Sequence, residues 1–229
     1  MRWNRKGLLF AKTQDMSPHF SLILPYILLA AGAVLAAVAS NVIPEVESTG
    51  TFAGIMSGFA LGGLTMIGLK WLILKFERDE KNKNKLPAGL AAAAAVDTFL
   101  DGAIISVGFS TSNEQLGTLL TIALAVELFF LTLSVGIEFR KGKFKPWQAL
   151  AMTSGIACLL LVGAFGASLL FGNASESTLA VVLSFGAAAL IYLIAEELLV
   201  ENIQAEETIF STVMLFSGFL VLLALKLLG

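Results

Sequence analysis

The chain has 229 residues, of which 57% are hydrophobic and 14% charged, with a mean hydropathy of +0.85. That balance excludes an ordinary soluble domain and points to a polytopic membrane protein with room for about six to eight spans. Seventeen acids face 15 bases, so net charge says little and the placement of the charges says more.

Residues 1–19 are basic, with an apolar stretch too short for a cleavable signal, and are expected to form a cytoplasmic arm. Residues 20–229 then read as one all-α transmembrane domain of seven spans. They fall at about 20–43, 52–75, 88–109, 116–138, 147–171, 179–200 and 208–228. Each is long enough for a hydrocarbon core of ~30 Å. The segments between them are short and polar, as in STSNEQLGT and GNASEST, and KFERDEKNKNKLP is the longest and most charged. Cys158 is the one cysteine and lies in an apolar run, where it reads as a small apolar filler. It excludes an internal disulfide and a cysteine zinc site. His19, the one histidine, precedes the first apolar run.

Basic residues set the expected orientation. Arg2, Arg5, Lys6 and Lys12 precede the first span. Lys70, Lys75, Arg78, Lys81, Lys83 and Lys85 end or follow the second, and Arg140, Lys141, Lys143 and Lys145 separate the fourth from the fifth. All fall on one side of a seven-span chain, and Lys226 alone falls on the other. Positive charge stays inside, so the N-terminus is expected in the cytoplasm and the C-terminus outside, in a plasma or inner membrane. Trp3, Trp71 and Trp147 lie near basic clusters, as interfacial anchors do. These clusters read as topology signals and not as a nucleic-acid site.

The third span, AAAAAVDTFLDGAIISVGF, carries Asp97 and Asp101 near its middle, one helical turn apart on one face. An ionised Asp at the bilayer centre costs about 3 kcal/mol on insertion scales. The fourth span carries Glu127 near its centre. A short connection makes these two spans antiparallel neighbours, which brings Asp97, Asp101 and Glu127 to a similar depth beside Thr98. Three carboxylates at one level repel unless a divalent cation or protons lie between them. Oxygen-only donors suit hard or borderline cations. The alternative for these acids is a buried network of neutral carboxyls bonded to Thr and Ser. Glu196 and Glu197 close the sixth span, as either an exit for a cation or a helix end reaching the interface. Asn41 and Glu45 close the first span, as either an approach path or a solvated interface.

A weak repeat links the first two spans to the last two. Both pairs have small residues, a Glu (Glu45, Glu201) and then Ser-Gly-Phe, at Ser57-Gly58-Phe59 and Ser217-Gly218-Phe219. The copies run in opposite senses, as in inverted-repeat transporters.

These residues resemble the ZIP (Zrt/Irt-like) family of divalent metal transporters. The family's His-Asn-x-x-Asp-Gly aligns with Asp97-Thr98-Phe99-Leu100-Asp101-Gly102, where Asp101 and Gly102 match. Its His-Glu-x-x-His-Glu aligns with Val126-Glu127-Leu128-Phe129-Phe130-Leu131, where Glu127 alone matches. Tyr192, Glu197, Leu198 and Glu201 resemble its seventh helix, and Asn41-Val42-Ile43-Pro44-Glu45 resembles the end of its second. The resemblance covers nearly the whole chain, displaced by one helix. It implies a non-enzymatic transporter with no prosthetic group, whose substrate is a divalent cation (Zn, Mn or Fe-type). Its expected ligands are Asp97, Asp101, Glu127 and Thr98, with Glu196 and Glu197 further along. The missing imidazoles shift preference from zinc toward harder ions. Two other readings stay open: a transporter of protons, Na⁺ or a small organic solute, and a non-transporting sensor or partner protein. Small-residue faces permit a homodimer. An aspartyl protease is disfavoured because Asp97 and Asp101 share one helix, and rhomboid-like serine chemistry lacks a membrane histidine.

Overall fold

The computed structural model describes residues 18–79, 88–141, 145–196 and 209–228. The arm 1–17, Glu197 and Glu201 lie outside the described residues. The described chain is all-α, and seven of its helices are long and apolar enough to cross a membrane. The protein is therefore a multi-pass membrane protein, and the expected spans are recovered. The helices are α1 (Pro18–Ala37), α2 (Ile43–Thr49), α3 (Phe52–Asp79), α4 (Ala88–Ser110), α5 (Glu114–Lys141), α6 (Pro146–Phe171), α7 (Glu176–Glu196) and α8 (Ile209–Leu228).

The first span is longer than its hydropathy indicates, because α1 runs through a π turn at Val38–Val42 into α2. Pro44 explains the turn. It has no N–H to offer the Ser40 carbonyl four residues back, and its ring crowds that carbonyl. The helix widens, so that Ile43 N–H bonds the Val38 carbonyl instead. The Ser40 carbonyl then accepts a hydrogen bond from Lys226 Nζ on α8. Short polar turns close the neighbouring helices. Thr51 Oγ1 accepts from Gly54 N–H (3.2 Å) at the start of α3, and Ser175 Oγ accepts from Thr178 N–H (3.3 Å) before α7.

Burial sorts the spans. The windows of α1, α4 and α7 are 61%, 50% and 56% buried, whereas those of α3, α6 and α8 are each 17% buried. Each inner helix is backed by one outer helix running parallel to it: α8 on α1, α3 on α7, and α6 on α4. Lipid tails are as apolar as leucine, so van der Waals packing holds such pairs, and small residues let the backbones approach. Gly32 sits against the Leu215 carbonyl and Gly218 against that of Leu29. Gly102 sits against the Leu160 carbonyl, and Gly163 against that of Phe99. A Cβ at any of these four positions would overlap the facing backbone.

The Ser-Gly-Phe repeat has a structural counterpart here. Gly58 seats α3 on the Val181 carbonyl of α7, as Gly218 seats α8 on the Leu29 carbonyl of α1. The two contacts run in opposite senses through the bundle, as the repeat requires. Cys158 is exposed on α6, so it faces outward from the bundle and does not fill its core.

Candidate carboxylate site in the membrane

α4 and α5 form an antiparallel hairpin about a turn at Thr111–Asn113. Gly108 meets Gly117 and the Leu120 side chain, which lets the helices approach near the tip. Asp97 is as far from the end of α4 as Glu127 is from the start of α5. At 1.5 Å rise per residue, the three carboxylates lie roughly 14–20 Å from the tip. That is the middle of a ~30 Å hydrocarbon core.

All are buried: Asp101 and Thr98 are 0% exposed, Glu127 7% and Asp97 8%. Asp97 Oδ1 and Thr98 Oγ1 are buried with no hydrogen-bond partner among the described residues. Burying such atoms unpaired is costly, which makes them the polar atoms most in need of a ligand. Glu127 continues the stripe of Leu116, Leu120 and Leu124, which are fully buried in the main core.

Among the described residues no three His, Cys, Asp or Glu side chains are placed to hold a metal ion. The reason is geometric. Asp97 and Asp101 are separated by about 6 Å of helix rise, and Glu127 reaches in from an axis roughly 8–10 Å away. The structure thus brings the three carboxylates to one depth without closing them around one point.

The remaining sequence candidates lie away from this centre. Glu196 pairs with Lys70 (2.8 Å) across α7 and α3, with Tyr192 in hydrogen-bonding contact with both. Its carboxylate is therefore already matched by a cation. Asn41 and Glu45 are buried, at 6% and 9% exposure, so the solvated-interface reading of them does not hold. Asn41 Nδ2 donates to Ser40 Oγ (3.0 Å) within the π turn. Glu45 Oε2 accepts from Asn113 Nδ2 (2.9 Å) at the hairpin tip. Beside it, Ser112 Oγ donates to Glu176 Oε1 at the start of α7.

Sequence reasoning passed over Lys70, Ser112, Asn113, Glu176 and Ser134 as site residues. Ser134 lies seven residues beyond Glu127 on α5, and its Oγ is buried with no hydrogen-bond partner among the described residues. That spacing puts Ser134 on the Glu127 face, a signal the sequence did contain. The back of the hairpin holds an apolar groove of about 370 Å³ lined by Ile105, Ala125, Leu128 and Leu160. Its two threonines bond their own helix, Thr121 to the Gly117 carbonyl (2.7 Å) and Thr132 to that of Leu128 (2.8 Å). The groove therefore supplies no spare polar group.

Neither a scan of protein-family models nor a search of curated proteins finds a match to this chain.

Proposed function

We propose that this chain is a membrane transporter of divalent cations, and that the cation crosses between α4 and α5 at Asp97, Asp101 and Glu127, with Thr98 as a fourth oxygen donor. The observation that carries this reading is the burial of three carboxylates at mid-depth in an otherwise apolar bundle. Each ionised acid at that depth costs about 3 kcal/mol unless something offsets it. A doubly charged ion offsets more than one at once. In the apolar interior its attraction for carboxylates is weakly screened. In this reading the carboxylate side chains turn toward the ion when it arrives. The resemblance to ZIP transporters in Asp101-Gly102, Glu127 and Pro44-Glu45 supports the same assignment. In this reading the N-terminus is cytoplasmic, the C-terminus is outside, and the chain lies in a plasma or inner membrane. No catalytic step is assigned.

A carrier of protons or Na⁺ on the same scaffold is the second reading. The observation that favours it is the lack, among the described residues, of a preformed three-ligand cluster. Flux in proteoliposomes against Zn²⁺, Mn²⁺, Fe²⁺, Mg²⁺, Na⁺ and a pH gradient separates the two. Saturable divalent flux is the expected result. Flux that follows pH or Na⁺ and ignores divalent ions selects the second reading. No flux of any kind, from folded protein, contradicts both and leaves the sensor role.

A further inference from the structure

The hairpin that carries all three central carboxylates is held at its tip by two other carboxylates, one on each side. Asn113 Nδ2 donates to Glu45 Oε2 (2.9 Å) on α2, and Ser112 Oγ donates to Glu176 Oε1 on α7. Glu45 and Glu176 belong to the helices that follow α1 and begin α7. The two bonds therefore tie the tip to two neighbouring elements, α2 and α7. The α1–α2 junction is itself anchored, because Lys226 of α8 donates to the Ser40 carbonyl in the π turn. Three polar ties thus lie toward this end of the molecule, joining α8 to the π turn and the hairpin tip to α2 and to α7.

Beneath these ties lies a deep apolar plug. Val38, Val42, Val107, Leu116, Leu120, Ala123 and Leu124 are buried between the tip and the depth of Asp101 and Glu127. Among the described residues these apolar side chains, with buried Asn41 between Val38 and Val42, lie between this end and the carboxylates.

We propose that the Ser112–Asn113 turn is a latch, fastened by Glu176 and Glu45, which keeps this end of the path to the central carboxylates shut. The proposal rests on reading those carboxylates as the transit site. Two hydrogen bonds to carboxyl oxygens are enough to favour a closed state and few enough to break on a transport cycle. Both acceptors are acids, so a cation arriving at this end competes with Asn113 and Ser112 for the same oxygens. The substrate itself then helps to open the latch.

The test reads solvent access in the full chain, in sealed membrane vesicles of each orientation, with Cys158→Ala as background. Cys158 faces outward on α6, away from the path. Ala123→Cys places one thiol in the plug, four residues from Glu127, where a small side chain is replaced by one nearly as small. A membrane-impermeant cationic methanethiosulfonate is applied from the tip side and, separately, from the other side. Adding Ser112→Ala and Asn113→Ala is expected to raise the tip-side labelling rate about tenfold, the factor that losing two hydrogen bonds supplies. Labelling from the other side stays unchanged. An unchanged tip-side rate, or an equal rise from both sides, overturns the latch. Asn113→Lys, which sets an ammonium on Glu45, works in the opposite sense and slows tip-side labelling below that of the Ala123→Cys parent. Faster labelling there overturns the proposal as well. Labelling needs no transported ion. A failed latch with intact divalent flux therefore discards only the latch, and latched labelling without flux discards only the transport reading.

Discussion

Among the described residues the two ends of the bundle are built differently. At the hairpin-tip end, three polar ties join four elements above a thick apolar plug that includes the fully buried Leu116, Leu120 and Leu124. At the opposite end, Leu24 and Leu28 of α1 and Leu190 and Ile194 of α7 are buried. Ala94, Val135, Ala149 and Ile156 form a small separate cluster, backed by Ala91 and Leu131. The described tie there is the Lys70–Glu196 pair, about a third exposed on each side. Long branched side chains interlock and cost much to part, whereas alanines part cheaply.

Several substitutions test that contrast. Leu120→Ala removes a fully buried side chain from the plug and is expected to cost about 2 kcal/mol or more, read as a lower unfolding midpoint in detergent. Ile156→Ala in the smaller cluster is expected to cost less than Leu120→Ala, and equal losses would erase the distinction between the two clusters. Lys226→Met leaves the Ser40 carbonyl, already deprived of a helix donor by Pro44, without its ammonium. The expected loss is about 1–3 kcal/mol in the same measurement. Lys70→Gln breaks a pair screened by its exposure and shifts stability by no more than about 1 kcal/mol. Accessibility sharpens the same point without reference to stability. A thiol at Ala94, approached from its own end, is expected to label about tenfold faster than one at Ala123 approached from the tip, a ratio equivalent to about 1.4 kcal/mol of local opening. Equal rates would mean that the thickness of the plug does not govern access.

Much of this architecture was legible in the sequence. In a bilayer every backbone group is satisfied within its own helix, so hydropathy alone locates spans. Asp97, Asp101 and Glu127 stood out because acids are rare at that depth, and an antiparallel hairpin follows from the short segment between them. The Ser-Gly-Phe repeat was visible as text, and its meaning emerged only when Gly58 and Gly218 were found seated on facing carbonyls.

The remainder depends on pairings between distant parts of the chain. Pro44 announces that the Ser40 carbonyl needs a donor, yet nothing local says that the donor is Lys226. Asn113 looked like an ordinary turn residue, because its partner Glu45 lies on a helix far earlier in the chain. Glu196 read as part of an exit for a cation, and Lys70 holds it in an ion pair. Periodicity within one helix says which face is buried, and carries no information about which helix will cover it.

The central claim is that the buried carboxylates carry the ion. Divalent flux through wild-type protein and Asp101→Asn, side by side in proteoliposomes, tests it most directly. Asn keeps the shape of a fully buried side chain and removes its charge, so folding survives and can be verified by the unfolding midpoint. The account predicts saturable flux in wild type and loss of most of it, by about a hundredfold or more, in the variant, as removing a buried charge from a binding site produces. Undiminished divalent flux through correctly folded Asp101→Asn would contradict it.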